Sequence, residues 1–417
     1  MNIRARRMIL AIGGMTVVWL VSAVLAASGA KVSARPSMAS FGHASQRVVL
    51  PISGSHAFTL ADGQSVSPQK PQMSDEIFKN VQVLKGIPVD EFMGTMGLMA
   101  AALSFCCTDC HVGAGTDLAK WEVDTPLKRT ARRMVQMVSA INRDSFGGRQ
   151  VVTCWTCHHG RDRPSVTPSL DAWYGTPVSE PDDILVPAQG QPSADQILDK
   201  YLQAIGGAQR LASVTSFVGK GATVGFGGFG GKGQVEIYAK APDQRAIRIH
   251  FPDHPDRGDV NRIFDGRAGW IATPLTVVPE YALAGGELDG ARLDAQLSFP
   301  GQIKQVLSSW RVSTPATINN REALVLQGNG PRGLVATLYF DKESGLLLRL
   351  QRYGTSPIGR VPTQVDYSDY RDVGGIKMPF RWTFAWLDGR DVFDLSDIQL
   401  NVPIEAARFS EPRAPVR

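Results

Sequence analysis

Cysteine is scarce in this chain: five residues in 417, all lying between Cys106 and Cys157. A disulfide framework spreads its cysteines through a small chain, so this cluster reads as a site. Charge of one sign is lacking as well. Lys and Arg total 44 against 39 Asp and Glu, a net charge of +5 over the whole length. That excess is too dilute for nucleic acid, and it suits an acidic redox partner or an anionic membrane surface equally. With 43% apolar and 20% charged residues, wholesale disorder is excluded. Only one apolar run approaches the ~20 residues that cross a bilayer, which excludes a polytopic membrane protein. The second half, 193–412, has no cysteine, no nucleophile elbow and no zinc-protease motif.

The apolar run, 8–27, follows Arg4, Arg6 and Arg7 and contains no charge. Cations ahead of a hydrophobic segment hold the N-terminus in the cytoplasm and send the rest across. Small residues from Ala26 to Ala30 leave two fates open, a membrane anchor or a cleaved signal within 1–30. Both place the bulk of the chain on the periplasmic side of the inner membrane, anchored or secreted. No cysteine lies nearby to carry a lipid.

Residues 31–72 are rich in Ser, Pro and Gly and read as a linker with one short strand at 47–52. Residues 73–165 read as a small helical domain. Ser74, followed by Asp75 and Glu76, predicts a helix over 74–84; Pro88, with Asp90 and Glu91, opens one to about 103. Thr125-Pro126 starts a third, 127–142, ended by Gly147-Gly148. Prolines at 164, 168, 177, 181, 187 and 192 make 166–192 a second linker. In 193–412 one helix, 193–205, leads a series of short alternating runs with hairpin turns at Asp265-Gly266 and Ser344-Gly345. Eight to ten antiparallel strands in an open half-barrel are expected. Gly225 to Gly231 is a hairpin tip, since no helix follows it to form a phosphate site. His250, Asp253, His254 and Asp256 lie in a Pro-bounded loop and read as a polar turn, with a weak metal site as the alternative.

Cys107-Thr108-Asp109-Cys110-His111 and Cys154-Trp155-Thr156-Cys157-His158 are two copies of Cys-x-x-Cys-His, the attachment sequence for c-type haem. Two thiols add to the haem vinyl groups and the next His ligates the iron. A tetrahedral Cys/His zinc site is the competing reading, but zinc does not require a His directly after each pair. Cys106 reads as a small buried side chain. A Met-bearing helix precedes each copy, with Met93, Met96 and Met99 before the first and Met134 and Met137 before the second. Met is the soft sixth ligand of electron-carrying haems, and three- or four-residue spacing on one helix face does not choose among them. The arrangement is an internal duplication. Arg132 and Arg133 are candidates for propionate pairing or a solvated helix face; His159 is an outer neighbour of the second site.

These residues resemble a known family. Lys79 to Leu84, Glu91-Phe92-Met93-Gly94-Thr95-Met96, the two attachment sequences and Ala131-Arg132-Arg133-Met134-Val135-Gln136-Met137 are similar, in order, to the cytochrome c subunit of photosynthetic reaction centres. The resemblance covers about 74–164. It implies two covalent c-type haems (iron), with Cys107, Cys110 and His111 holding the first and Cys154, Cys157 and His158 the second. It further implies Met96 and Met134 as axial ligands and one-electron transfer to redox protein partners, a membrane electron-transport complex or a reaction centre. The family carries four haems as two pairs where this chain has one pair; the family's lipid-anchoring cysteine has no counterpart here, and the family has Arg where His159 stands. In the second half, residues 198–207, Phe264 to Trp270 and 365–379 are similar in pattern to periplasmic lipoprotein-carrier (LolA-like) domains, which implies a cavity for an acyl chain, a quinone-like molecule or a protein partner. The whole chain is thus expected to be multidomain: a transmembrane or signal helix, a helical dihaem domain and a β half-barrel. It is expected to be an electron carrier and no enzyme. A dihaem peroxidase, which needs an open iron site, and a haem-based sensor are the alternatives.

Overall fold

The structure is a computed structural model that describes residues 70–116, 118–168, 170, 188–225, 232–253, 258–273, 278–387 and 389–412. The apolar run 8–27, the strand expected at 47–52, most of the proline-rich stretch, the hairpin tip 226–231, His254 and Asp256 lie outside the described residues. Among those described, no helix is long and apolar enough to cross a membrane.

The first part is helical: α1 (Ser74–Ile77), α2 (Val89–Leu103), α3 (Cys107–Cys110), α4 (Pro126–Phe146) and α5 (Cys154–His158). The expected first helix is cut to one turn. Ser74 is buried and donates its hydroxyl to the Leu84 carbonyl at 2.6 Å instead of capping, and the chain turns left-handed at Asn80. The other two expected helices are present. Thr125 caps α4 by accepting from the Lys128 N–H, with Pro126 at the first helical position. The helix runs one turn beyond the expected end and stops on left-handed Gly147.

The second part opens with α6 (Ala194–Ala204), capped by Ser193, and α7 (Ala208–Ala212). The strands follow as β1 (Ser216–Val224), β2 (Lys232–Lys240), β3 (Gln244–His250), β4 (Val260–Phe264), β5 (Gly269–Ala272), β6 (Glu280–Ala282), β7 (Ser308–Val312), β8 (Ala316–Ile318), β9 (Arg321–Asn329), β10 (Val335–Asp341), β11 (Leu347–Ser356), β12 (Gly359–Val373), β13 (Ile376–Trp386) and β14 (Gly389–Leu400). Between β6 and β7 lie α8 (Gly285–Gln296) and α9 (Ile303–Val306). All form one antiparallel sheet in the order β6-β5-β4-β3-β2-β1-β14-β13-β12-β11-β10-β9-β7, with β8 on β9. The strand number exceeds the expected range because β5, β6 and β8 are too short to show alternation. The single leading helix is corrected too: α7, α8 and α9 accompany it, and α8 is Gly-rich with little helical signal.

One face of the sheet is covered by α6, whose Ile197, Leu198 and Tyr201, with Ile205 just past its end, pack on Leu326, Leu338 and Phe340. A second cluster on Phe217, Ile237, Val365, Phe393 and Leu395 continues the apolar surface across the middle strands.

Helices and sheet share a core. The turn from β11 to β12 carries Ile358, fully buried in a cluster with Leu84, Leu98 and Val135 of the helical part. The Ile358 carbonyl accepts from the Cys154 N–H, and the Ser356 carbonyl accepts from Gln150 Nε2 at 2.8 Å. Gly359 lies so close to Leu98 that a Cβ would come within 2.6 Å of its side chain. Gly94 and Gly97 let α2 approach Val361 and Trp386 closely.

At the same junction the buried Asp90 accepts hydrogen bonds from the Ala284 N–H at 2.6 Å and the Glu91 N–H at 2.9 Å. Burial outweighs these bonds and pushes its carboxyl up from 3.8 to about 7. Between those values the unfolded chain has lost a proton that the folded chain keeps. Folding stability therefore falls as pH rises from about 4 to about 7. Asp90→Asn is expected to flatten this limb in denaturant titrations across that range; an identical pH dependence in both proteins would reject the account.

Candidate functional site

The two Cys-x-x-Cys-His sequences fold alike. Each forms a single helical turn, α3 and α5, whose third residue turns its side chain back to the chain entering the turn. Asp109 Oδ2 accepts from the Cys106 N–H at 2.7 Å, and Thr156 Oγ1 accepts from the Thr153 N–H at 3.1 Å. Cys106 is thus the counterpart of Thr153, one residue before the motif, and Cys107 is the counterpart of Cys154. The expectation of a buried Cys106 is corrected. It is exposed, because the position that caps a helical turn faces outward, and its thiol donates to Asp109.

Neighbouring elements hold both turns. Thr125, capping α4, donates to the Cys110 carbonyl at 3.0 Å. Ser104, at the end of α2, donates to the Gly160 carbonyl just past the second motif. Buried Asn142 of α4 donates to the Val152 carbonyl at 2.7 Å and accepts from the Val151 and Val152 N–H groups. It fixes the strand entering Cys154 and was not singled out from the sequence; a polar residue on the apolar stripe of α4 was its only signal.

The two histidines differ in setting. His158 Nδ1 lies 2.9 Å from the Arg161 carbonyl, the bond that leaves Nε2 as a ligand atom. His111 is half-buried against Trp121, with ring centroids 5.0 Å apart, and its Nδ1 is buried without a partner. Burial first, and then the Lys128 ammonium, hold His111 below the ordinary range, which favours the neutral, metal-ligating imidazole. Burial, reinforced by Cys157, pushes the Cys154 thiol up to about 11.

A cavity of about 1090 Å³ is lined by Cys107, Cys110, His111, Met96 and Trp121, and it extends into the interior of the sheet. Met93 and Met99 line it too, so the three methionines of α2 all face this space. On α4, Met134 is half-buried and Met137 is 41% exposed. Cys107, Cys110, His111 and Met96 on one cavity fit a covalently held haem at the first site, and His158 with its Nδ1 bonded fits one at the second. Among the described residues no group of three or more His, Cys, Asp or Glu is placed to hold a metal ion, so no tetrahedral zinc set assembles.

The remaining candidates have other partners, and Arg132 lines the same cavity as His111. Arg132 is paired with Asp124 at 2.7 Å and donates to the Asn80 carbonyl, while Arg133 is exposed and bonded to Thr130. His159 is exposed, left-handed, and lies against the Trp155 ring. His250 is paired with Asp259 at 2.8 Å.

Comparison with known proteins agrees with the motifs. Over 109 residues, a quarter of this chain, the sequence is 35% identical to a photosynthetic reaction center cytochrome c subunit from Thermochromatium tepidum. The chain spans about a quarter (24%) of that relative's length. Among solved structures, a LolA superfamily protein from Nitrosomonas europaea is similar at 15% identity and a TM-score of 0.36, covering 53% of this chain and 99% of that one. A DUF1329 family protein from Desulfovibrio piger is similar at 13% identity and a TM-score of 0.38, covering 53% and 98%. The resemblance read from the haem motifs is borne out and extends further along the chain than they do: residues 46–198 match the family described as photosynthetic reaction centre cytochrome C subunit.

Proposed function

We propose that this chain is an exported dihaem c-type cytochrome that relays single electrons on the periplasmic side of the inner membrane. The reading rests above all on the two structurally equivalent Cys-x-x-Cys-His turns, each tied to a methionine-bearing helix. Cys107 and Cys110 would hold one haem and Cys154 and Cys157 the other. His111 with Met96, and His158 with Met134, would ligate the irons. When bound, the haem supplies a one-electron Fe(III)/Fe(II) couple, and His with Met favours the reduced state. The chain's own part is positional: Arg161 orients His158, the loop held by Lys128 brings Trp121 against His111, and Asn142 sets the entry to Cys154. With His111 and Met96, and His158 and Met134, taken up as ligands, no position would remain for a substrate, which favours a carrier over a peroxidase. The 8–27 run supports export and membrane attachment. The redox partners are expected to be proteins of a membrane electron-transport complex or a reaction centre.

The test is covalent haem content in the exported full chain. A pyridine haemochrome assay should give two haems per chain. Replacing Cys107 and Cys110 together by Ala, or Cys154 and Cys157 together, should lower this to one. No covalent haem, or no loss in either variant, would end this reading.

A further inference from the structure

The two attachment turns are built alike, yet the histidines that follow them are held differently. His158 Nδ1 lies 2.9 Å from the Arg161 carbonyl. A ring N–H given to a carbonyl makes the imidazole a stronger donor at its other nitrogen. His111 has no such bond, because its Nδ1 is buried without a hydrogen-bond partner. The Trp121 backbone draws on the His111 ring, but less than burial and Lys128 oppose it. The Trp121 carbonyl is already taken, at 2.7 Å, by the Lys128 ammonium.

Lys128 enters this site from the first turn of α4. Its N–H donates to the Thr125 hydroxyl at 3.2 Å, and that hydroxyl donates to the Cys110 carbonyl at 3.0 Å. Two hydrogen bonds thus tie the Lys128 backbone to the residue before His111. The ammonium bridges the carbonyls of Trp121 and Val123, at 2.7 and 2.9 Å. The side chain is half-buried and lines the same cavity as Cys110, His111 and Met96.

Both acceptors are neutral, and among the described residues no carboxylate forms an ion pair with Lys128. Arg132, the other cation on this wall, is matched by Asp124 at 2.7 Å. Glu122 is exposed. Lys128 is therefore the uncompensated charge at the first site, in a place where water screens least. At the second site the flanking Arg161, Asp162 and Arg163 are all exposed.

We propose that Lys128 is a positioning residue that makes the first haem the more oxidising of the two. Its positive charge, and its hold on the Trp121 carbonyl, disfavour the ferric state beside His111. The Arg161 carbonyl favours that state beside His158. When the chain carries a single electron, the electron rests at the first site. This deepens the cytochrome reading given above and rests on it.

The test is a spectroelectrochemical titration of the haem-loaded full chain, which should show two one-electron waves. Lys128→Gln loses the charge and keeps a donor. It should lower the higher wave by at least a tenfold change in the reduction equilibrium constant, 59 mV for one electron. The lower wave should change less than twofold. Lys128→Arg, which keeps the charge, should stay closer to the wild type than to Lys128→Gln. The single-haem variants assign the waves and do not depend on Lys128→Gln folding. The haem left when Cys154 and Cys157 are both replaced by Ala should have a higher potential than the one left when Cys107 and Cys110 are. Coincident waves, the reverse order, an unmoved higher wave, equal shifts in both waves, or Lys128→Arg as low as Lys128→Gln would each overturn the proposal. A chain without covalent haem would instead end the cytochrome reading, which the haemochrome assay decides before any titration.

Discussion

Ile358→Asp is expected to cause a large loss of stability. The side chain is fully buried between α2, α4 and the start of α5, in a cluster with Leu84, Leu98 and Val135. Truncation to Ala should cost about 2–5 kcal/mol, from lost transfer energy and the cavity left behind. A carboxylate there has no partner of opposite charge in that cluster, so Asp should cost more than Ala. The helical part should loosen first, since β11 and β12 remain paired along their length. Thermal unfolding followed separately by haem absorbance and far-ultraviolet dichroism should show the two transitions drawing apart. If Ile358→Ala melts within about 0.5 kcal/mol of wild type, as a surface change would, the tip is not a shared core.

Met96→Leu and Met134→Leu should each remove about half of the ferric methionine–iron charge-transfer absorbance and lower the potential of one haem. Thioether ligation favours the ferrous state, and Leu offers no donor. The choice of Met134 over Met137 has a physical basis, because Met134 is half-buried and Met137 is 41% exposed on the same helix. Met137→Leu should leave the band intact. Should Met137→Leu remove it while Met134→Leu does not, the ligand lies one turn further on. Met93 and Met99 face the same cavity as Met96, so Met93→Leu and Met99→Leu are the controls for the first site.

The family resemblance and the two equivalent turns were legible in the sequence because they depend on local spacing. Cys-x-x-Cys-His fixes its own turn, Thr125-Pro126 fixes the start of α4, and alternation marks β2, β10 and β13. What escaped were features decided by distant partners. Ser74 looks like a cap in sequence, yet its hydroxyl serves the Leu84 carbonyl. Cys106 looks like an apolar neighbour of the motif, yet equivalence with Thr153 shows it to be a cap. Helix α8 has two glycines at its start and is held by the sheet it covers, with Leu293 buried against it. Ile358 sits in a short turn between two strands, where a lone apolar residue announces nothing. The joining of the haem-side cavity to the interior of the sheet likewise depends on β12 meeting α2, a contact between residues more than 250 positions apart.

The insertion of Ile358 also changes what the proline-rich stretch has to do. Where two modules are joined by a tether alone, the tether's length sets how often they meet and at what separation. Here the wedge between α2 and α5 sets the spacing between attachment site and sheet, and the glycines at 94, 97 and 359 set how closely helix and sheet approach. A change in the number of residues between 165 and 193 is therefore expected to leave that arrangement unaltered.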